Sequence, residues 1–145
     1  MDKYIVNGLD MIKDGAALTP NFWRAPTDND YGAKLQLKYS AWKNPDIKLI
    51  SLKNNIVDNQ AVISAEYEMK QVSAKLYITY TINNQGAVQV NQKMITDKAA
   101  NVSNMFRFGM QLVMPRSFEN ISYYGRGPMA VSYTHLRAHE TELHL

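Results

Sequence analysis

The sequence predicts an all-β fold, an antiparallel sandwich, and three features carry that expectation. From Ile47 onward, apolar and polar residues alternate with the period of two that sets one face of a strand in a core and the other in water. The alternating runs follow one another closely, joined by short turn-forming stretches such as Asn83-Asn84-Gln85-Gly86. Between them stands no long amphipathic helix of the kind a parallel βαβ sheet needs for its crossovers.

Taken in chain order, Leu18 to Gly32 reads as an ordered loop, because Pro20 and Pro26 restrict the residues before them and Asp28, Asn29 and Gly32 are turn formers. Gly32 to Lys43 departs from the β pattern, since Leu35, Tyr39 and Trp42 fall at helical spacing and allow one or two turns. Ile63, Ala65, Tyr67 and Met69 then form one strand face, opposite Ser64, Glu66, Glu68 and Lys70. Ala74, Leu76, Ile78, Tyr80 and Ile82 make the next stripe, and Asn83 to Gly86 turns the chain back into Val88, Val90 and Met94, a hairpin. After the polar stretch Thr96 to Asn104, the run Phe106, Phe108, Met110, Leu112 and Met114 predicts a further strand, and Phe118 to Tyr124 a short one after it.

A chain of 145 residues suits one domain, which at this size buries roughly two-thirds of its unfolded surface. Apolar residues at 46% and charged residues at 20% argue against disorder. A net charge of +3, without five consecutive basic residues, argues against nucleic acid as a partner. The absence of cysteine removes disulfides and thiolate metal sites. Met1 to Val6 lacks an apolar signal core, and no apolar run reaches the ~18 residues of a membrane span. No membrane association is therefore expected, and cytoplasm and periplasm both stay open.

Two stretches resemble signatures of the β-galactosidases of glycoside hydrolase family two. They are Leu18-Thr19-Pro20-Asn21-Phe22-Trp23-Arg24-Ala25-Pro26-Thr27-Asp28-Asn29-Asp30-Tyr31-Gly32 and Tyr123-Tyr124-Gly125-Arg126-Gly127-Pro128. Phe106-Arg107-Phe108-Gly109-Met110 and Met114-Pro115-Arg116-Ser117-Phe118-Glu119-Asn120-Ile121 are similar to the family's approach to the second signature, so the resemblance covers Met1 to Met129. It implies the last, small-chain domain of such an enzyme, a supersandwich similar in fold to galactose mutarotase. It also implies a parent that hydrolyses terminal non-reducing β-D-galactose from lactose-type substrates with retention, through glutamates on a preceding barrel domain whose motifs have no match here. The partners implied are the rest of that polypeptide with its barrel, the galactoside bound by the parent, and further copies in a homo-oligomer. Magnesium, and in many members sodium, is implied for the parent, bound by residues outside this chain, with no cofactor in the segment itself.

The family typically follows its glycine-arginine-glycine-proline turn with glutamate, asparagine and tyrosine, whereas Met129-Ala130-Val131 follows here. Residues 130–145 are accordingly expected to be a foreign tail, the stretch from Val131 on resembling a translated sequencing-adapter remnant. With strands also missing ahead of Tyr4, the sandwich is expected to be truncated at both ends, with unpaired edges and low solubility in isolation.

Retaining glycosidases place two carboxyl groups about 5 to 5.5 Å apart. Glu66 with Glu68, on one face of an alternating strand, reads as solvated surface. Asp28-Asn29-Asp30 could ligate a hard cation, but its glycine falls one position too early for an EF-hand loop, and local loop capping is the plainer reading. Trp23 and Phe22 offer flat faces of the kind that stack on a pyranose, with core packing or an interface as the bland alternative. Arg24 reads as an internal ion-pair partner. The candidates for carbohydrate contact or a domain interface are thus Trp23, Arg24, Asp28, Asn29, Asp30, Tyr124 and Arg126, with no catalytic and no metal residue among them. His135 and His139 have the i, i+4 spacing of helical metal ligands but fall in the expected tail. Two other readings stand beside the glycosidase segment: a stand-alone, non-catalytic carbohydrate-binding sandwich built on Trp23, and an aldose-epimerase relative, which lacks a histidine before residue 135 for its acid/base pair.

Overall fold

The computed structural model describes residues 1–97, 99–126 and 138–144. These fall into two compact units, one formed by Met1–Leu18 with Leu112–Leu145 and the other by Thr19–Gln111. The fold class is all-β and sandwich-like, and every described strand pairs antiparallel.

In the first unit, β1 (Ile5–Val6) and β2 (Leu9–Asp10) form a minimal hairpin. Asn7 and Gly8, at φ 50° and 81°, supply the two positive-φ positions that a tight hairpin of the right twist demands. The Asp10 carboxylate accepts the backbone N–H groups of Tyr4 and Ile12 at 3.3 and 3.1 Å, tying the hairpin to the buried Ile12.

The second unit opens with β3 (Thr19–Asn21), continues through α1 (Asp28–Gly32), α2 (Leu35–Lys38) and a 3-10 turn at Ser40–Trp42, and then enters a four-stranded meander. Its strands are β4 (Lys48–Val57), β5 (Gln60–Met69), β6 (Ala74–Ile82) and β7 (Val88–Thr96), hydrogen-bonded in that order. The last strand of the unit, β8 (Gly109–Gln111), pairs with β3. The helical spacing over Gly32 to Lys43 is realised as α2 and the 3-10 turn, which buries Trp42. Among the described residues, no helix is long and apolar enough to cross a membrane.

The registers explain the alternation. Tyr67 faces Leu76 and Ala65 faces Ile78 across the β5–β6 ladder, while Met94 faces Leu76 across β6–β7, so one apolar stripe runs over three strands. Met69, Leu76 and Ile78 are fully buried within it. Each such side chain contributes about 1.5–3 kcal/mol by leaving water, which makes a one-residue slip of register very unfavourable. The opposite face carries Glu66, Lys75 and Tyr77, where the Lys75 ammonium and Tyr77 hydroxyl donate to Glu66 at 3.2 and 3.5 Å. The neighbouring Glu66 carboxylate raises the Lys75 pKa.

The expected turn joins β6 to β7. Asn83 accepts the N–H groups of Gln85 and Ala87 on its side-chain oxygen at 3.0 and 2.8 Å, and Gly86 adopts φ 82°. Gly86→Ala is therefore expected to lower stability by about 1 kcal/mol, the steric cost of a Cβ in the left-handed region. Urea unfolding reads this directly, and an unchanged midpoint would place Gly86 in a different conformation.

Two expectations need correction. The strand expected over Phe106 to Met114 shrinks to the three residues of β8, because Phe106 and Phe108 turn into ring contacts with Trp23, Tyr39 and Phe22 instead of continuing a ladder. The Leu18–Gly32 loop holds regular structure at both ends, β3 at its start and α1 at its close. The expected strand over Phe118 to Tyr124 is β9 (Asn120–Arg126), which pairs in the first unit with β10 (Ala138–His144). Gly127 and Pro128 of the second signature, with most of the expected tail up to Arg137 and Leu145, lie outside the described residues.

Candidate functional site

The Leu18–Gly32 signature folds around one carboxylate. Asn21 starts it, its side-chain oxygen accepting the Trp23 N–H at 2.8 Å, the local turn chemistry of an Asx residue. That turn sends Arg24 toward α1. Its Nη1 and Nη2 donate to Asp30 Oδ2 and Oδ1 at 2.5 and 3.2 Å, a two-pronged ion pair. Thr27, the residue before α1, adds its backbone N–H at 2.7 Å and its hydroxyl at 2.9 Å to the same Oδ2. The N-terminal turn of the helix and the arginine are thus held by one buried side chain, Asp30, which is 6% exposed.

The electrostatics follow from that geometry. The Arg24 guanidinium beside Asp30, helped by the Thr27 N–H, lowers the carboxyl pKa to about 2 against the opposing pull of desolvation. The carboxylate in turn raises the Arg24 pKa. A general acid in glycoside hydrolysis needs its pKa raised and its proton available. Asp30 is the reverse, ionised at neutral pH with both oxygens accepting hydrogen bonds, so it serves as a clasp.

Aromatic rings surround the clasp. The Arg24 guanidinium lies 4.7 Å over the Phe106 ring, which meets Trp23 and Tyr39 edge-on at 4.8 and 5.1 Å. Lys43 approaches the Trp23 ring at 5.9 Å. Phe22, buried next to Trp23 in sequence, contacts Trp42 and stacks on Phe108. Trp23 thus has one neighbour at its edge and a cation over its ring, an arrangement of packing more than of an open stacking platform.

Among the residues singled out from sequence, Trp23, Arg24 and Asp30 come together, while Asp28 and Asn29 are exposed on α1. Tyr124, 80% exposed, lies in β9 of the other unit, and Arg126 pairs by its backbone with Ala138 there. Glu66 and Glu68 face lysines, Lys75 at 3.2 Å and Lys70 at 3.9 Å. Sequence reasoning missed Thr27, Tyr39, Lys43 and Phe106. The Thr27-x-x-Asp30 spacing of a capping box was the one available signal, since the others join the site only through folding. No group of three or more histidine, aspartate and glutamate side chains among the described residues is arranged to hold a metal ion.

Comparison with known proteins agrees with this picture of a packed structural segment. The family described as the β-galactosidase small chain matches residues 1–133. The chain is 33% identical over 112 residues to a β-galactosidase of Priestia megaterium, covering 75% of this chain and 10% of that protein. It is 32% identical over 118 residues to one of Staphylococcus xylosus, covering 77% and 12%, and 30% identical over 124 residues to one of Streptococcus thermophilus, covering 83% and 12%. The chain spans about a tenth of the length of these curated relatives. By the match over most of its length and by these identities, the chain belongs to the β-galactosidase small-chain family.

Proposed function

We propose that this chain is a structural segment of a β-galactosidase, and that the whole enzyme removes terminal β-D-galactose from lactose-type substrates with retention. The observation that carries the reading is the Arg24–Asp30–Thr27 clasp at the centre of the family signature. Its one buried carboxylate is committed to holding the chain and is far too acidic to donate a proton at neutral pH. The acid/base and nucleophile carboxylates of the reaction then belong to another part of the polypeptide, on its barrel. The enzyme's magnesium, and in many members sodium, is held by residues outside this segment. Trp23, Arg24, Asp28, Asn29, Asp30, Tyr124 and Arg126 shape the segment and its contacts with neighbouring domains, and the enzyme works as a homo-oligomer.

Retention proceeds through a covalent glycosyl-enzyme, so the nucleophile can be labelled. A full-length polypeptide carrying this sequence, trapped with a 2-deoxy-2-fluorogalactoside and digested, is expected to yield its labelled peptide outside this segment. A label on any aspartate or glutamate within it would refute the structural role.

A further inference from the structure

The hairpin of β1 and β2 turns on Asn7 and Gly8, the one Asn-Gly pair in the sequence. Both residues are exposed, and a Cβ placed on Gly8 would meet nothing within 4 Å. Among the described residues, none accepts the Gly8 N–H and none bonds the Asn7 side-chain amide. An uncommitted backbone nitrogen thus adjoins an uncommitted primary amide, and glycine puts no side chain in the way of their approach.

We infer that Asn7 is a self-modification site: when the hairpin opens, the Gly8 nitrogen attacks the Asn7 side-chain carbonyl and the amide leaves as ammonia. The bond from Gly8 N to Asn7 Cγ forms, the Cγ–Nδ2 bond breaks, and the proton of the Gly8 nitrogen departs with the ammonia. One water then opens the resulting five-membered imide at either carbonyl, giving aspartate or its β-linked isomer. Nothing is oxidised or reduced. A neutral amide becomes a carboxylate, so the net charge of +3 falls by one.

Opening is the gate. The closed turn holds Asn7 at φ 50° and Gly8 at φ 81°, and forming the imide swings the peptide plane between them out of that geometry. Few bonds resist it: two ladder pairs, the Met11 N–H on the Tyr4 carbonyl at 2.8 Å, and the Asp10 carboxylate accepting from Tyr4 and Ile12. A two-stranded hairpin this short opens at the low-cost end of native fluctuations.

Other turns lack the combination. Asp14-Gly15 has the exposed glycine, but a carboxylate is a poorer electrophile than an amide and has no ammonia to release. Asn83 has its side-chain oxygen engaged by Gln85 and Ala87 and is followed by a residue with a side chain. The two products at position 7 also differ in consequence. Aspartate suits the turn as asparagine does, whereas the β-linked isomer adds a backbone carbon, so the loop no longer joins Val6 and Leu9 in register.

Peptide mapping by mass spectrometry of the 145-residue chain, held at mildly alkaline pH, tests this, with aspartate and its β-linked isomer separated chromatographically. Asn7 is expected to convert ~10-fold or more faster than any other asparagine, and Gly8→Ala to slow it by a similar factor. Asp10→Ala, which removes the tether on Tyr4 and Ile12, is expected to speed conversion ~3-fold or more by easing opening. Far-UV circular dichroism verifies that each variant folds, and repeating the Gly8→Ala comparison in urea reads the chemistry free of any effect on the turn. A rate at Asn7 no greater than elsewhere, or one that Gly8→Ala leaves unchanged in urea, would overturn the inference. An unchanged rate in Asp10→Ala would do so too, by removing the gate. The chemistry is independent of which enzyme the segment serves, so its failure leaves the galactosidase reading untouched.

Discussion

Trp42→Ala is expected to cost the Thr19–Gln111 unit about 3–5 kcal/mol, most of the stability available to a domain with a total of roughly 5–15 kcal/mol. Trp42 is 1% exposed, the largest fully buried side chain, and meets Phe22 edge-on with ring centroids 5.7 Å apart. Its indole N–H donates at 2.8 Å to the Ser103 carbonyl, 61 residues along the chain. Truncation leaves a cavity where the ring was and deprives that carbonyl of its donor, two penalties that act together. Urea unfolding followed by far-UV circular dichroism measures the loss, and Trp23 keeps a fluorophore in the variant. Trp42→Phe retains a ring and loses the donor, so it is expected to cost less, about 1–3 kcal/mol. Equal losses in the two variants would show that the hydrogen bond outweighs ring packing.

Asp30→Asn carries the second large effect, and its signature is pH dependence. The folded carboxyl titrates at about 2, below the ~3.9 of an unfolded aspartate. A lowered folded pKa means that the unfolded state binds the proton more readily, so the clasp stabilises the fold fully above the unfolded value. That stabilisation is lost as pH falls from about 4 toward about 2. The native chain is therefore expected to melt well above the Asp30→Asn variant at pH 7, with the gap closing on acidification. Asp28→Asn, at an exposed position of the same helix, is expected to change little. Thermal melts of the three proteins from pH 7 to pH 2 measure this. A gap that stays constant to pH 2 would mean that the carboxylate charge is not what holds Arg24 and Thr27.

The parts of the fold legible in the sequence are those where one side chain position decides between core and water. Ala74, Leu76, Ile78 and Tyr80 are buried in strict alternation because β6 lies at the sheet interior with a neighbour on each side. The Asn83–Gly86 turn was legible because its chemistry is local. On β4 the alternation weakens, since both of its faces carry exposed apolar residues and its register shifts between Leu49 and Ser51. Phe106 and Phe108 show the converse failure. Their spacing is that of a strand, yet their rings are claimed by Trp23, Tyr39 and Phe22 from distant sequence, and aromatic contacts leave no periodic trace. The clasp was half legible: an arginine and an aspartate six residues apart in one signature suggest a pair, but only the fold shows that Thr27 shares the same carboxylate oxygen.

The central claim, that these strands support a reaction whose carboxylates lie elsewhere, is tested most directly by incubating the purified 145-residue chain with a chromogenic β-galactoside at neutral pH. Release of the chromophore at the rate of buffer alone is the expected result. Turnover by this chain that disappears on changing a single aspartate or glutamate within it would contradict the claim.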